Sequence, residues 1–127
     1  MTFATAICCM DGRIQLPVLE YLSARFGVQY IDNITDAGPV GLAPTAADSP
    51  AVKSIFQLVE LSMRVHASKG LAVVAHHDCA GNPVPGSVQM EQLQSWTKIL
   101  AEHFPGIQII GLWLDEDLQV HEYPPHN

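Results

Sequence analysis

Two rhythms of apolar and polar residues run along the chain, one of short continuous apolar stretches and one of helical stripes. Residues 3–9 (FATAICC) form an apolar run that reads as a buried strand, ended by the turn MDGR. Pro17 suits a first helical turn, and Val18, Leu19, Leu22 and Phe26 then fall on one helical face that Gly27 can close. Residues 28–31 (VQYI) predict a second short strand. From Asp32 to Ser49 neither period holds, and Gly38, Pro39, Gly41 and Pro44 mark a long loop, of a length usually reserved for function or motion. Ser49-Pro50 is an N-cap followed by a first-turn proline. The helix it opens carries one stripe of Val52, Ile55, Phe56, Val59 and Met63 and another of Leu58, Leu61 and Val65, ending at Lys69-Gly70. Two apolar sides predict two coverings, the sheet and a second subunit.

LAVVA (71–75) is fully apolar, as central parallel strands are, and HHDCAGNPVPG follows as a loop. Ser87 can cap a helix bearing Met90, Leu93, Trp96, Leu100 and Phe104, stopped by Pro105-Gly106. Residues 107–114 (IQIIGLWL) are a fourth strand, Asp115-Glu116-Asp117 a solvated turn, LQVHEY an antiparallel fifth strand, and PPHN a frayed tail. This alternation predicts one α/β domain, residues 1–127, with three layers around a mostly parallel sheet. The order 2-1-3-4, with the antiparallel strand beside the fourth, sets strands 1 and 3 together where the winding reverses. Ligands sit beyond the carboxyl ends of such strands. Those two ends carry Cys9 and His76.

Composition narrows the classes. Hydrophobic residues make up 48% and charged residues 15%, so a packed globule is expected, and such a lean surface suits a homodimer or higher homo-oligomer. Thirteen acids against six Lys and Arg give −7, which argues against nucleic acid or an anionic membrane as partner. No apolar run approaches the ~20 residues of a membrane span. MTFATAICCMDGR lacks a basic leader, so no signal peptide is expected. Three cysteines, two of them adjacent, make a poor disulfide framework; in a cytoplasmic protein such thiols are more often ligands or nucleophiles.

His76 and Cys79, three apart, can chelate one ion from a single loop, with Cys9 as third ligand. Zinc accepts this sulfur and nitrogen set tetrahedrally, and three protein ligands leave one position for water. Two thiolates offset the 2+ charge, so that water should be acidified less than at a tris-imidazole site and activity should rise toward alkaline pH. Asp11, two residues beyond Cys9, could accept a hydrogen bond from that water or bind zinc itself. Arg13 could select between these states through a bidentate pair. Such a site suits attack by a zinc-bound hydroxide on a small electrophilic carbon. Alternation points Cys8 away from Cys9, into the core. His77 is expected at a pocket rim, and Asp78 either caps its loop or supports a ligand.

Cys9-x-Asp11-x-Arg13 followed by His76-x-x-Cys79 resembles the β-class carbonic anhydrases. Asp36-Ala37-Gly38 is similar to that family's Asn-Ala-Gly turn, and IQIIGLWLDEDLQVHEY to its last strand pair. The resemblance implies Cys9, His76 and Cys79 as Zn2+ ligands, Asp11–Arg13 as a gating and orienting dyad, and Gly38, His77 and Asp78 around the substrate. It implies reversible hydration of CO2 to bicarbonate. Typical members are longer, with an N-terminal helical arm and a substrate-binding Gln that this sequence does not contain, so a short branch of the family is expected. Asp36 replaces an Asn, Pro39 follows the Gly, and His77 stands where a small hydroxyl residue is common. Alternative readings are hydrolysis of carbonyl sulfide or carbon disulfide, a non-catalytic zinc protein with a truncated pocket, and a thiol hydrolase using Cys79. The phosphatase arrangement needs five residues between Cys and Arg, and Cys8 to Arg13 has four.

Overall fold

The computed structural model describes residues 1–42 and 49–123. In chain order these form β1 (Phe3–Cys9), α1 (Gly12–Phe26), β2 (Tyr30–Asp36), a 3-10 turn (Pro39–Gly41), α2 (Pro50–His66), β3 (Gly70–His76), α3 (Gly86–His103), β4 (Gln108–Leu114) and β5 (Val120–Glu122). The sheet order is β2-β1-β3-β4-β5, parallel except for the antiparallel β4–β5 pair. This is the expected α/β architecture. Expectations that fell on Pro44 and on the tail 124–127 lie outside the described residues.

Two apolar cores hold the layers together. On one face Ile7, Leu71 and Val73 pack against Val59 of α2 and against Leu93, Trp96 and Leu100 of α3. On the other, Ala6, Cys8, Ala72, Val74 and Leu112 pack against Ile14, Val18 and Leu22 of α1. Each large aliphatic side chain so buried stabilises the fold by about 1.5–3 kcal/mol relative to exposure. β3 is buried along its whole length, which explains why LAVVA shows no polar alternation. Because α1 covers one face and α2 and α3 the other, the winding reverses between β1 and β3, and Cys9 and His76 end those neighbouring strands.

Several boundaries differ from expectation, each for a local reason. β2 runs to Asp36, well into the expected loop, and pairs residue for residue with β1 from Phe3↔Tyr30 to Cys9↔Asp36. It is an edge strand in which only Ile34 is buried, so its polar residues carry no apolar period. α1 starts at Gly12, not near Pro17, because the Asp11 carboxylate accepts from Arg13 N at 2.9 Å and caps the helix early. Pro17 sits inside α1, where it cannot donate to the Arg13 carbonyl. α3 starts at Gly86 behind Pro85, without a side-chain cap from Ser87. α2 ends at His66 with Ala67 in the left-handed region, short of Lys69-Gly70. Ser49 and Gly27 cap α2 and α1 as expected.

Candidate metal centre

Cys9, the last residue of β1, and His76, the last of β3, are carried outward by adjacent strands, and Cys79 returns to them from the loop after β3. All three are buried, and one ligand atom from each lies within 4.8 Å of the others. The two sulfurs are 3.8 Å apart. Two sulfurs at about 2.3 Å from one tetrahedral ion stand about 3.8 Å from each other, so the thiol pair has the right spacing for a shared zinc.

His76 supplies the more telling test. Its Nδ1 lies 2.8 Å from the carbonyl oxygen of His77. A carbonyl only accepts, so Nδ1 carries the proton and Nε2 presents a lone pair. That Nε2 is buried and has no hydrogen-bond partner among the described residues. An orphaned buried acceptor costs about 1–3 kcal/mol, a penalty that a cation beside two thiols would remove. Burial first, and the neighbouring Cys9 second, hold the Cys79 thiol above its ordinary range, so a positive charge beside it would favour loss of its proton. These donors fit a thiophilic divalent ion (zinc above all).

Around the cluster two loops meet along a glycine seam. Asp36 Oδ1 accepts from Ala37 N at 2.7 Å, and the turn that follows delivers Gly38 N to within 3.4 Å of Cys9 Sγ. Gly38 has φ +58, and a Cβ there would lie 2.7 Å from the Gly81 carbonyl carbon. A Cβ on Gly81 would lie 2.4 Å from the Ala37 carbonyl carbon. Only two glycines allow this approach. Asn82, nearly buried, ties the far side of the loop by donating to Gln92 Oε1 at 2.7 Å.

Asp11 and Arg13 form the expected pair. Arg13 Nη2 donates to Asp11 Oδ2 at 2.7 Å, and Nε donates to Oδ1 at 3.1 Å. The hydrogen bonds from the Arg13 side chain and backbone hold Asp11 at a pKa of about 2. Asp11 is therefore ionised at any working pH: it can accept a hydrogen bond but cannot serve as a general base near neutrality. Its carboxylate turns toward Arg13 and stands outside the Cys9–His76–Cys79 cluster.

A cleft of about 220 Å³, mostly apolar, opens beside the cluster between Cys9, Met10, Asp11, Ala37, Ala80 and Gly81. Of the residues expected around substrate, Gly38 contributes its N–H to Cys9 rather than a wall. His77 is exposed and its backbone N donates to Leu114 O at 2.9 Å. Asp78 is exposed, has φ +56, and touches Arg13 through its carbonyl. Ala37 is legible in the sequence only as the middle of the Asp36-Ala37-Gly38 turn, and Ala80 and Gly81 are not, because small residues carry no chemistry of their own. The one signal of Ala80 and Gly81 is a position one or two residues after the ligand Cys79.

Comparison with known proteins agrees with the fold. The sequence model of a family described as "Putative carbonic anhydrase" matches residues 1–123. No curated protein matches the chain. Among solved structures, one from a study of two tetrameric β-carbonic anhydrases of Sordaria macrospora superposes with a TM-score of 0.66 at 12% identity, covering 95% of this chain and 80% of that one. The β-carbonic anhydrase CafA of Aspergillus fumigatus superposes with a TM-score of 0.52 at 15% identity, covering 98% of this chain and 76% of that one. At such identities the likeness is one of fold.

Proposed function

The chain belongs to the carbonic anhydrase family that it matches over residues 1–123, and from that membership we propose that it is a zinc-dependent enzyme hydrating CO2 reversibly to bicarbonate. Cys9, His76 and Cys79 would hold the ion. The buried, unpartnered Nε2 of His76 beside two thiols is the observation that carries this reading. Zinc held there would supply the Lewis acidity that makes water nucleophilic.

The chain's own residues do the rest. Arg13 fixes Asp11 as an ionised acceptor at the cleft edge, where Asp11 orients the attacking water without taking up its proton. The same pairing would hold the Asp11 carboxylate on Arg13 and away from an ion held by Cys9, His76 and Cys79. The cleft is roomy enough to admit a small linear electrophile, and its apolar walls favour a nonpolar substrate over a charged one. Carbonyl sulfide and carbon disulfide, also small and nonpolar, would suit the same mostly apolar cleft.

The reading includes one domain over residues 1–127, a cytoplasmic setting in which Cys8, Cys9 and Cys79 stay reduced, and a homo-oligomer. Leu58, Leu61 and Val65 support the last point, since about half of each is exposed along one side of α2. No helix among the described residues is long and apolar enough to cross a membrane.

Elemental analysis with stopped-flow CO2 hydration and sulfide-release assays tests the function. About one zinc per chain and chelator-sensitive CO2 hydration are expected. Zinc without turnover of any of these substrates leaves a non-catalytic zinc protein, and folded protein that takes up no metal overturns the reading.

A further inference from the structure

Each ligand-bearing strand ends in a backbone carbonyl that the next helix reaches back to satisfy. Gln15 is the fourth residue of α1, and its Nε2 donates to Cys9 O at 2.8 Å and to Asp11 O at 2.9 Å. Gln89 is the fourth residue of α3, and its Nε2 donates to His76 O at 3.0 Å. The same device thus stands at both strand ends, at the same helical position, on the residue that offers a ligand. Neither amide can be turned around, because the groups facing each nitrogen are carbonyls, which only accept.

The surroundings differ in a useful way. Gln15 is half-buried, and its Oε1 accepts from Asn33 Nδ2 at 2.7 Å, while Asn33 Oδ1 accepts from the Cys8 thiol at 2.9 Å. Cys8, a core residue by alternation, thereby completes a chain of donors that runs back to Cys9 O. Gln89 is 1% exposed, and its Oε1 is buried with no partner among the described residues. A buried side chain left half satisfied is an expensive way to fill space. An apolar residue would pack there at lower cost, so the donor itself is what the site needs.

We propose that Gln15 and Gln89 are positioning residues for the metal centre. Each locks the peptide plane of one ligand, Cys9 or His76, and so the direction in which its side chain leaves the strand. A neutral amide does this without adding positive charge beside a cation, which Lys or Arg in its place would do. The proposal rests on the zinc reading above, and its test separates the two.

Gln15→Met and Gln89→Met keep length and remove the donor. In each, the fold without metal is followed by circular dichroism and thermal unfolding. Zinc affinity is measured by competition with a chromophoric chelator, and ligand geometry by the visible spectrum of the cobalt(II) form. Outer partners of metal ligands are typically worth roughly 10–100-fold in affinity. A loss in that range is expected for each variant, with altered cobalt bands and a larger loss in the double variant. Gln15→Glu, which turns an acceptor toward two carbonyls, should lose more than Gln15→Met. Should Gln89→Met fail to fold, Gln15→Met decides the matter, because Gln15 lies nearer the surface. Folded variants with native affinity and native cobalt bands overturn the proposal while leaving the zinc reading intact. A native protein that binds neither zinc nor cobalt overturns both.

Discussion

Arg13 Nη2 donates to the backbone carbonyl of Asp78 at 3.1 Å while also donating to Asp11 Oδ2 at 2.7 Å. One guanidinium therefore joins the turn after Cys9 to the loop that carries Cys79. A lysine could not span both partners in this way. Arg13→Ala should release Asp11 toward the ion and loosen the loop together. CO2 hydration is expected to fall by roughly tenfold or more with zinc still bound. Stopped-flow rates set beside metal content check this, and full turnover in the variant would count against the dyad.

Asp11 also sets an acid limit. Arg13 lowers its pKa from 3.8 to about 2, so the folded state binds its proton less readily than the unfolded chain. The stabilisation is complete above about pH 4 and is lost as pH falls toward about 2. Asn keeps a capping oxygen, so Asp11→Asn isolates the charge. The gap in urea midpoint between the native chain and Asp11→Asn should be widest near neutrality and close through that window. A gap independent of pH would refute the assignment.

Metal uptake should expel protons. The Cys79 thiol is held up by burial and by Cys9, and thiolates are the species that bind. Calorimetry in buffers of differing ionisation enthalpy should report about two protons released per zinc near neutral pH. Cys79→Ser should weaken binding and reduce that number. Unchanged metal content in Cys79→Ser would remove Cys79 from the ligand set.

The core makes its own prediction. Trp96 is fully buried on α3, and its Nε1 donates at 3.1 Å to Val40 O in the 3-10 turn beside the glycine seam. Trp96→Phe removes that donor and strands a buried carbonyl, at a cost of about 1–3 kcal/mol. The urea midpoint should drop with little change in slope. A loss below about 0.5 kcal/mol would show that the carbonyl finds another partner.

What could be read from the chain follows from where physics writes a periodic signal. β1 and β3 are buried on both faces, so their continuous apolar runs identify them, and the positions of Cys9 and His76 follow from the alternation of strands and helices. β2 hid as far as Asp36 because an edge strand with one buried residue has no apolar rhythm. The early start of α1 was masked by Pro17, which marks a first turn in most helices but here lies inside one opened by Asp11. At the site, cysteines, histidine and the dyad were visible because their chemistry is rare. The carbonyl-directed amides of Gln15 and Gln89 were not, since an amide's partner is chosen by three-dimensional approach and leaves no spacing to count.

The seam of Gly38 against Gly81 bears on kinetics as well as shape. A loop held by side chains can release its contacts singly, whereas two backbones pressed together must separate as a unit. Escape of an ion held there should then be timed by concerted displacement of both loops, with slow exchange expected even where equilibrium affinity is ordinary. Gly81→Ala, which wedges the loops apart, should hasten exchange of isotopically labelled zinc far more than it weakens its hold.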